Sequence, residues 1–168
     1  MLDMKFPPAS SLTNAGLRNS IENHEDKGQT QTPRYRELVE EDARRHGKKL
    51  DFDKSIQHLT DAAKLGRFTT YGALAAASEV PWSQARRLMD GANGHLDKLL
   101  SICHSRGIPL LTAICVNQEG VKTGDLNEGA LAGFVNGAQR LGLSVIDGHA
   151  FLKDCQKQCF EWAQRTAS

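Results

Sequence analysis

The stretch that decides the fold runs from residue 66 to residue 92 and reads GRFTTYGALAAASEVPWSQARRLMDGA. Either Thr69 or Thr70 can cap a short helix over residues 71–78, because a threonine hydroxyl accepts a hydrogen bond from an otherwise unpaired helix amide. A proline and a tryptophan then interrupt the chain, and a second helix follows over residues 83–92, capped by its own first serine. Two short helices joined by a turn are typical of a helix-turn-helix.

The second helix of this unit is predicted to present polar side chains to a nucleic acid. Its outward-facing residues are expected to be Ser83, Gln84, Arg86 and Arg87. Two more basic residues, Lys64 and Arg67, precede the unit and would widen its positive surface. Because such side chains reach base edges and a helix N-terminus favours phosphate, the arrangement predicts a nucleic-acid-binding surface, with DNA as the expected partner.

Three features of residues 66–106 extend this pattern: the run TTYG at 69–72 followed by an apolar helix, the pair Arg86–Arg87, and Cys103 followed by His104. In these features the chain resembles the winged-helix DNA-binding domain of alkylguanine-DNA alkyltransferases and alkyltransferase-like proteins. The resemblance covers about forty residues.

The resemblance assigns a role to individual residues of the helix-turn-helix. It implies that Thr70 and Tyr71 rotate the target phosphate. It also implies that Arg86 or Arg87 is a finger that fills the space left by a flipped base.

Cys103 has two interpretations. The resemblance implies that its thiol accepts an alkyl group, with His104 beside it. Its loop departs from the family pattern, however, since Ile102 stands where a proline is expected and Ser105 separates the histidine from the next arginine. Cys103 also continues an apolar stripe late in a helix predicted over 95–106, where the helix dipole does not lower a thiol pKa. The residues therefore favour a buried core thiol, and catalysis is not expected.

Two other cysteines, Cys155 and Cys159, stand one helical turn apart and could hold a metal ion together with Cys103 and His104. Trp162 shares their helix stripe, which favours packing over ligation, so no metal site is expected. The chain contains no P-loop, dinucleotide fingerprint, H-E-x-x-H or nucleophile elbow, so no cofactor is expected either.

Composition sets outer limits on function. The 168 residues carry 21 Lys+Arg and 20 Asp+Glu, a net charge of +1, so no global field points to nucleic acid or membrane. Four cysteines are too few for a disulfide scaffold. No apolar run is long enough to span a bilayer, and the first ten residues do not form a secretory signal. We therefore expect a cytoplasmic protein with reduced thiols.

The pattern as a whole predicts a mainly α fold with a small β-sheet, in the α+β class. One helix-turn-helix or winged-helix-like domain is expected over residues 34–168, behind a flexible, disordered N-terminal tail over residues 1–33. The tail offers little apolar surface to offset the entropy of ordering, apart from a helical patch near 12–21 that could dock on binding.

Further elements follow from hydrophobic periodicity and capping signals. Helices are expected over 34–46, 53–66, 95–106, 127–141 and 149–166, strands over 108–116 and 143–146, and a strand-turn at 109–123 that would form the wing. Gly129, Gly133 and Gly137 are expected to let the helix over 127–141 pack closely against a neighbour.

The main alternative is a protein–protein accessory or inhibitory factor, from a mobile element or a defence pathway, without enzymatic activity. Its docking surface would be the N-terminal tail or the helix over 34–46, whose acidic residues are Glu37, Glu40, Glu41 and Asp42. Alkyl transfer by Cys103 is the second alternative.

Overall fold

The computed structural model describes residues 6–46, 49–89 and 94–167. The chain divides into two compact units, Met1–Lys49 and Leu50–Ser168. The first unit contains a short 3-10 helix at Ala9–Ser11 and two α-helices, α1 over Asn14–Asp26 and α2 over Pro33–His46.

Helices α1 and α2 of the first unit pack against each other along apolar stripes. Leu17 and Ile21 of α1 are buried. The apolar stripe predicted for α2 is confirmed. Its four residues, spaced i, i+3, i+4 and i+8 along the helix, are all buried: Tyr35, Leu38, Val39 and Ala43. Burial of these side chains offsets the ordering entropy that led to the prediction of a flexible tail, which is not confirmed. Residues 1–5 of that tail lie outside the described residues.

Arg45 of α2 forms hydrogen bonds with the backbone near the start of the described chain. Its guanidinium donates hydrogen bonds to the carbonyls of Ala9, Ser10 and Leu12 at 3.3, 3.2 and 2.7 Å, and to the carboxylate of Glu41 at 2.7 Å. These bonds add a side-chain donor to three carbonyls of a helix too short to pair its backbone fully, although the Ala9 carbonyl also accepts the Leu12 amide.

The second unit is mainly helical with a minimal sheet. Its elements are α3 Phe52–Lys64, β1 Thr69–Thr70, α4 Tyr71–Ala77, α5 Trp82–Met89, α6 His95–Arg106, β2 Cys115–Val116, α7 Glu128–Arg140 and α8 Gly148–Ala167. The two strands pair in parallel, with Thr69 opposite Cys115 and Thr70 opposite Val116. The predicted class, mainly α with a small sheet, is confirmed.

The core of the second unit is built around α3, α8 and the chain before β2. Its fully buried side chains include Leu59, Leu74, Met89, Leu99, Ile114 and Leu152. The buried amide of Gln156 on α8 donates hydrogen bonds to the carbonyls of Ala113 and Gly124, at 2.9 and 2.7 Å. These bonds fix an irregular, buried stretch of backbone that has no ladder to pair with.

The predicted wing is not confirmed, because that part of the chain forms the core. Residues 110–116 are all buried. Leu111–Ile114 forms a 3-10 helix, and strand geometry is limited to Cys115–Val116. Residues 121–123, the predicted returning arm, lie in a turn. An antiparallel hairpin is absent from the part of the chain that the structure describes, where the one strand pairing is parallel.

The other predicted elements divide between agreement and correction. Helix α6 begins and ends where predicted, and its C-terminus is closed by Gly107 with a φ of 70°. The strand expected over 143–146 is not formed; these residues are an irregular connection with a bend between α7 and α8. The predicted end of the second helix of the helix-turn-helix, residues 90–92, lies outside the described residues.

Candidate nucleic-acid interface

The link between α4 and α5 is a tight, defined turn. The amides of Glu79 and Val80 donate to the carbonyls of Ala76 and Ala75, at 2.9 and 3.1 Å, which is the Schellman pattern of a helix C-terminus. Glu79 has a φ of 59°, in the left-handed region that glycine ordinarily occupies here. Val80 is buried and anchors the turn. The two helices therefore pack together as one unit, as the sequence predicted.

The start of α4 is held by two threonines with different tasks. Thr70 is the N-cap, because its hydroxyl accepts the hydrogen bond of the Ala73 amide at 3.2 Å. Thr69 is buried, with its hydroxyl 2.8 Å from Nε2 of His58. Tyr71 opens the helix and is half-buried against the core. The resemblance assigns Thr70 and Tyr71 to phosphate handling. In the structure the Thr70 hydroxyl caps α4 and the Tyr71 side chain packs against the core, so both have a structural role.

Helix α5 is divided into an inner and an outer face. Ala85 and Met89 are completely buried. Trp82, Ser83 and Arg86 are exposed, and at about 100° per residue they lie within about 100° of one another on an adjoining, outer face. Ala85 and Met89 join α5 to the core, so the orientation of its outer face is fixed by packing.

The four polar residues predicted to face outward on α5 are not equivalent. Ser83 and Arg86 are exposed, whereas Gln84 and Arg87 are half-buried. The two arginines thus differ in exposure although they are adjacent on the same helix. The predicted arginine pair therefore reduces to one outward arginine, Arg86.

Trp82 belongs to this surface, although the sequence pattern does not indicate it. The pattern predicts an interruption at Pro81 and Trp82, with the helix starting at Ser83. The helix instead starts at Trp82, because the Pro81 carbonyl accepts the amides of Gln84 and Ala85 at 3.0 and 2.9 Å. The spacing from Trp82 to Arg86 (i, i+4) was the signal that could have placed both on one face.

Lys64 and Arg67 lie at the C-terminal end of α3. Both side chains are exposed. The Lys64 carbonyl accepts a hydrogen bond from the Gln164 amide at 3.1 Å, which ties this end of α3 to α8. Helix α3 in turn packs against α4. These two basic residues therefore lie near the contact between the end of α3 and α8.

Cys103 and His104 differ in their surroundings. Cys103 is fully buried, and this burial raises the pKa of its thiol. His104, the next residue on α6, is exposed. A raised pKa opposes thiolate formation, so the environment of Cys103 is the reverse of what a nucleophile requires.

The cysteines of α8 have the same character. Cys155 and Cys159 are buried, and burial raises the pKa of Cys155 to about 12 and that of Cys159 further. Among residues 6–46, 49–89 and 94–167, no group of three or more His, Cys, Asp or Glu is arranged to hold a metal ion. Within the same ranges, no helix is both long enough and apolar enough to cross a bilayer.

The acidic surface proposed on α2 is largely engaged within its own unit. Glu41 is buried and binds both Arg44 and Arg45, whose hydrogen bonds lower its pKa to about 2. Glu37 accepts the amide of Ala9 at 2.9 Å and pairs with Arg34 at 3.0 Å. These carboxylates stabilise the first unit, which leaves less negative charge for a docking surface.

Comparison with known proteins adds no relative: no family model, no curated protein and no solved structure matches this chain. The features that bear on function are therefore those of the chain itself, chiefly the outer face of α5.

Proposed function

We propose that this chain is a small, non-catalytic nucleic-acid-binding protein whose contact element is the α4–turn–α5 unit. The proposal is carried by one observation: α5 exposes Trp82, Ser83 and Arg86 together, while the burial of Ala85 and Met89 fixes the helix on the core. The resemblance of residues 66–106 to the DNA-binding domain of alkylguanine-DNA alkyltransferases points the same way. Helix-turn-helix class and DNA as the ligand belong to this proposal.

The chemistry of the exposed face suits a nucleic acid. A guanidinium is planar, permanently charged and able to donate two parallel hydrogen bonds to a phosphate or to a guanine edge. A serine hydroxyl contacts phosphates or bases. The packed side of α5 holds these groups at fixed positions, which lowers the entropy lost on binding.

The same face gives no support to alkyl transfer. The only thiol that the resemblance offers, that of Cys103, is buried in the core with a raised pKa. Binding without chemistry is therefore the function that the described residues favour.

The net charge of +1 limits how this binding should behave. Salt dependence reports the number of phosphates that a protein neutralises, and a nearly balanced charge favours a small number. We expect micromolar rather than nanomolar affinity, with a shallow dependence on salt.

The test is a fluorescence-anisotropy titration of the full chain with labelled single-stranded and double-stranded oligonucleotides at two salt concentrations. Arg86→Ala should weaken binding about tenfold, since one good base or phosphate contact contributes about 1–3 kcal/mol. Arg165→Ala removes the same charged group from an exposed position of α8 and should leave the affinity unchanged. Equal loss in both variants, or no binding to either oligonucleotide at low salt, would reject the proposal.

A further inference from the structure

Trp82 is one of the exposed large apolar side chains of the second unit. Its exposure is 45%, whereas the other tryptophan, Trp162, is half-buried against the core. An indole has a large apolar face, and its full burial would contribute hydrophobic free energy to folding that an exposed ring does not contribute. Trp82 also lies at the start of a helix whose position is fixed by packing.

Trp82 does not stand alone on its face. Arg86 follows it by four residues, and side chains at this spacing on a helix are neighbours, with Cβ atoms about 5–6 Å apart. The face thus combines a flat aromatic surface with a positive charge within the reach of one nucleotide. A nucleotide has the matching parts, a flat base and a phosphate.

We infer that Trp82 stacks on an unpaired base while Arg86 contacts the adjoining phosphate, so that the ligand of α5 is single-stranded nucleic acid. This inference rests on the proposed function and specifies its ligand. In a duplex the flat faces of the bases are covered by their neighbours and only their edges are open in the grooves. An indole has a single donor with which to contact an edge, but its face matches the face of any unstacked base.

The low net charge supports the same choice of ligand. Proteins that bind duplex backbone gain most of their affinity by neutralising phosphates, which a chain with 21 basic and 20 acidic residues does poorly. Stacking of a base on an aromatic ring contributes about 1–3 kcal/mol per base in addition to any phosphate contact. A surface with one aromatic ring and one arginine therefore favours an unstacked strand over a duplex.

The experiment uses the chain's own fluorescence. The chain has two tryptophans, so Trp162→Phe leaves Trp82 as the sole indole reporter. Titration with an unlabelled thymine-rich single strand should quench this fluorescence, and a strand of the same length made of abasic sites should not. If Trp162→Phe fails to fold, the difference between the wild type and Trp82→Phe gives the same signal.

Affinity variants provide the second readout. Trp82→Ala should weaken single-strand binding about tenfold, and Trp82→Phe should retain part of it, because a smaller ring still stacks. Leu65→Ala, at an apolar side chain that is 66% exposed, is the matched control and should change nothing. Circular dichroism melting of each variant checks that the fold is intact.

The outcomes of these experiments distinguish the stacking inference from the proposed function. Single-strand binding with quenching, weakened by Trp82→Ala, supports both. Duplex binding that needs Arg86 but is indifferent to Trp82→Ala overturns the stacking inference and keeps the proposed function. Absence of binding to any oligonucleotide overturns both, and a protein would then be the expected partner of the exposed indole.

Discussion

At the scale of single residues, His95 couples the fold to pH. It is buried at the start of α6, its Nε2 is 2.7 Å from Oγ of Ser55, and its ring stacks on Phe52 with centroids 4.8 Å apart. Burial, aided by the charge of Lys98, lowers its pKa from 6.5 to about 4. The folded state therefore holds a neutral imidazole, which an N-terminal helix dipole also favours.

The sign of the pH dependence follows from that pKa. The unfolded chain takes up a proton near pH 6.5, and the folded chain does so only near pH 4, so unfolding gains protons between these values. We expect the free energy of unfolding contributed by this residue to fall by about 2 kcal/mol from pH 7 to pH 5. Urea unfolding at both pH values measures it.

The control for this prediction is another histidine on the same helix. His95→Gln removes the titrating group and should flatten the dependence on pH between 7 and 5, although part of it remains because burial also lowers the pKa of His58. His104→Gln, at an exposed position, should keep the wild-type slope. A wild-type slope in His95→Gln would contradict the assignment.

At the scale of elements, the glycines of α7 differ in how closely neighbouring atoms approach them, although their spacing predicts the same close packing for all three. A Cβ at Gly137 would lie 2.6 Å from Cδ1 of Leu100 and 2.9 Å from Oδ1 of Asp97, both on α6. A Cβ at Gly133 would meet nothing within 4 Å. The close packing predicted for all three glycines therefore applies to Gly137, where α6 and α7 approach each other.

This contrast predicts opposite signs for one substitution at two positions of the same helix. Gly137→Ala should destabilise the protein by about 1–2 kcal/mol, because Leu100 is buried and cannot move aside freely. Gly133→Ala should stabilise it by about 0.5–1 kcal/mol through helix propensity alone. Chemical denaturation of the two variants beside the wild type measures both, and equal shifts would contradict the packing.

Elements with a clear period and clear end signals were predictable from the sequence. Helix α6 shows both, with an apolar stripe and a glycine immediately after its last residue. Residues 110–116 show neither, because a run buried on every side has no alternation to separate a strand from an irregular core segment. Within this segment the Ala113 carbonyl accepts a hydrogen bond from Gln156, about forty residues away along the chain, and the local sequence carries no trace of such a contact.

The candidate site was predictable in part for the same reason. Ser83 and Arg86 were expected on an exposed helix face, and both are exposed. The half-burial of Arg87 depends on the packing of the rest of the unit around α5, which the spacing of residues within the helix does not reveal. Trp82 lies one residue before the predicted start, so a helix that begins at Ser83 assigns Trp82 to no face, whereas the Pro81 carbonyl places it in the first turn.

At the scale of the whole molecule, the large hydrophobic core is built from residues of the second unit. Its buried members run from Leu59 to Ala163, and the side chains packed on it begin at Leu50. A segment of about 120 residues with its own core lies within the usual range of an independent domain. The fragment Leu50–Ser168 should therefore fold by itself.

The proposed contact surface lies inside this fragment, and that makes the prediction a test of function as well as of folding. We expect residues 50–168 to melt in one cooperative transition and to show the dispersed amide spectrum of a packed core. We also expect single-strand affinity within about threefold of that of the full chain, because Trp82 and Arg86 are held by the core of this unit. A folded fragment without affinity would locate the binding surface in residues 1–49, whereas a fragment with no cooperative transition would contradict the autonomy of the core.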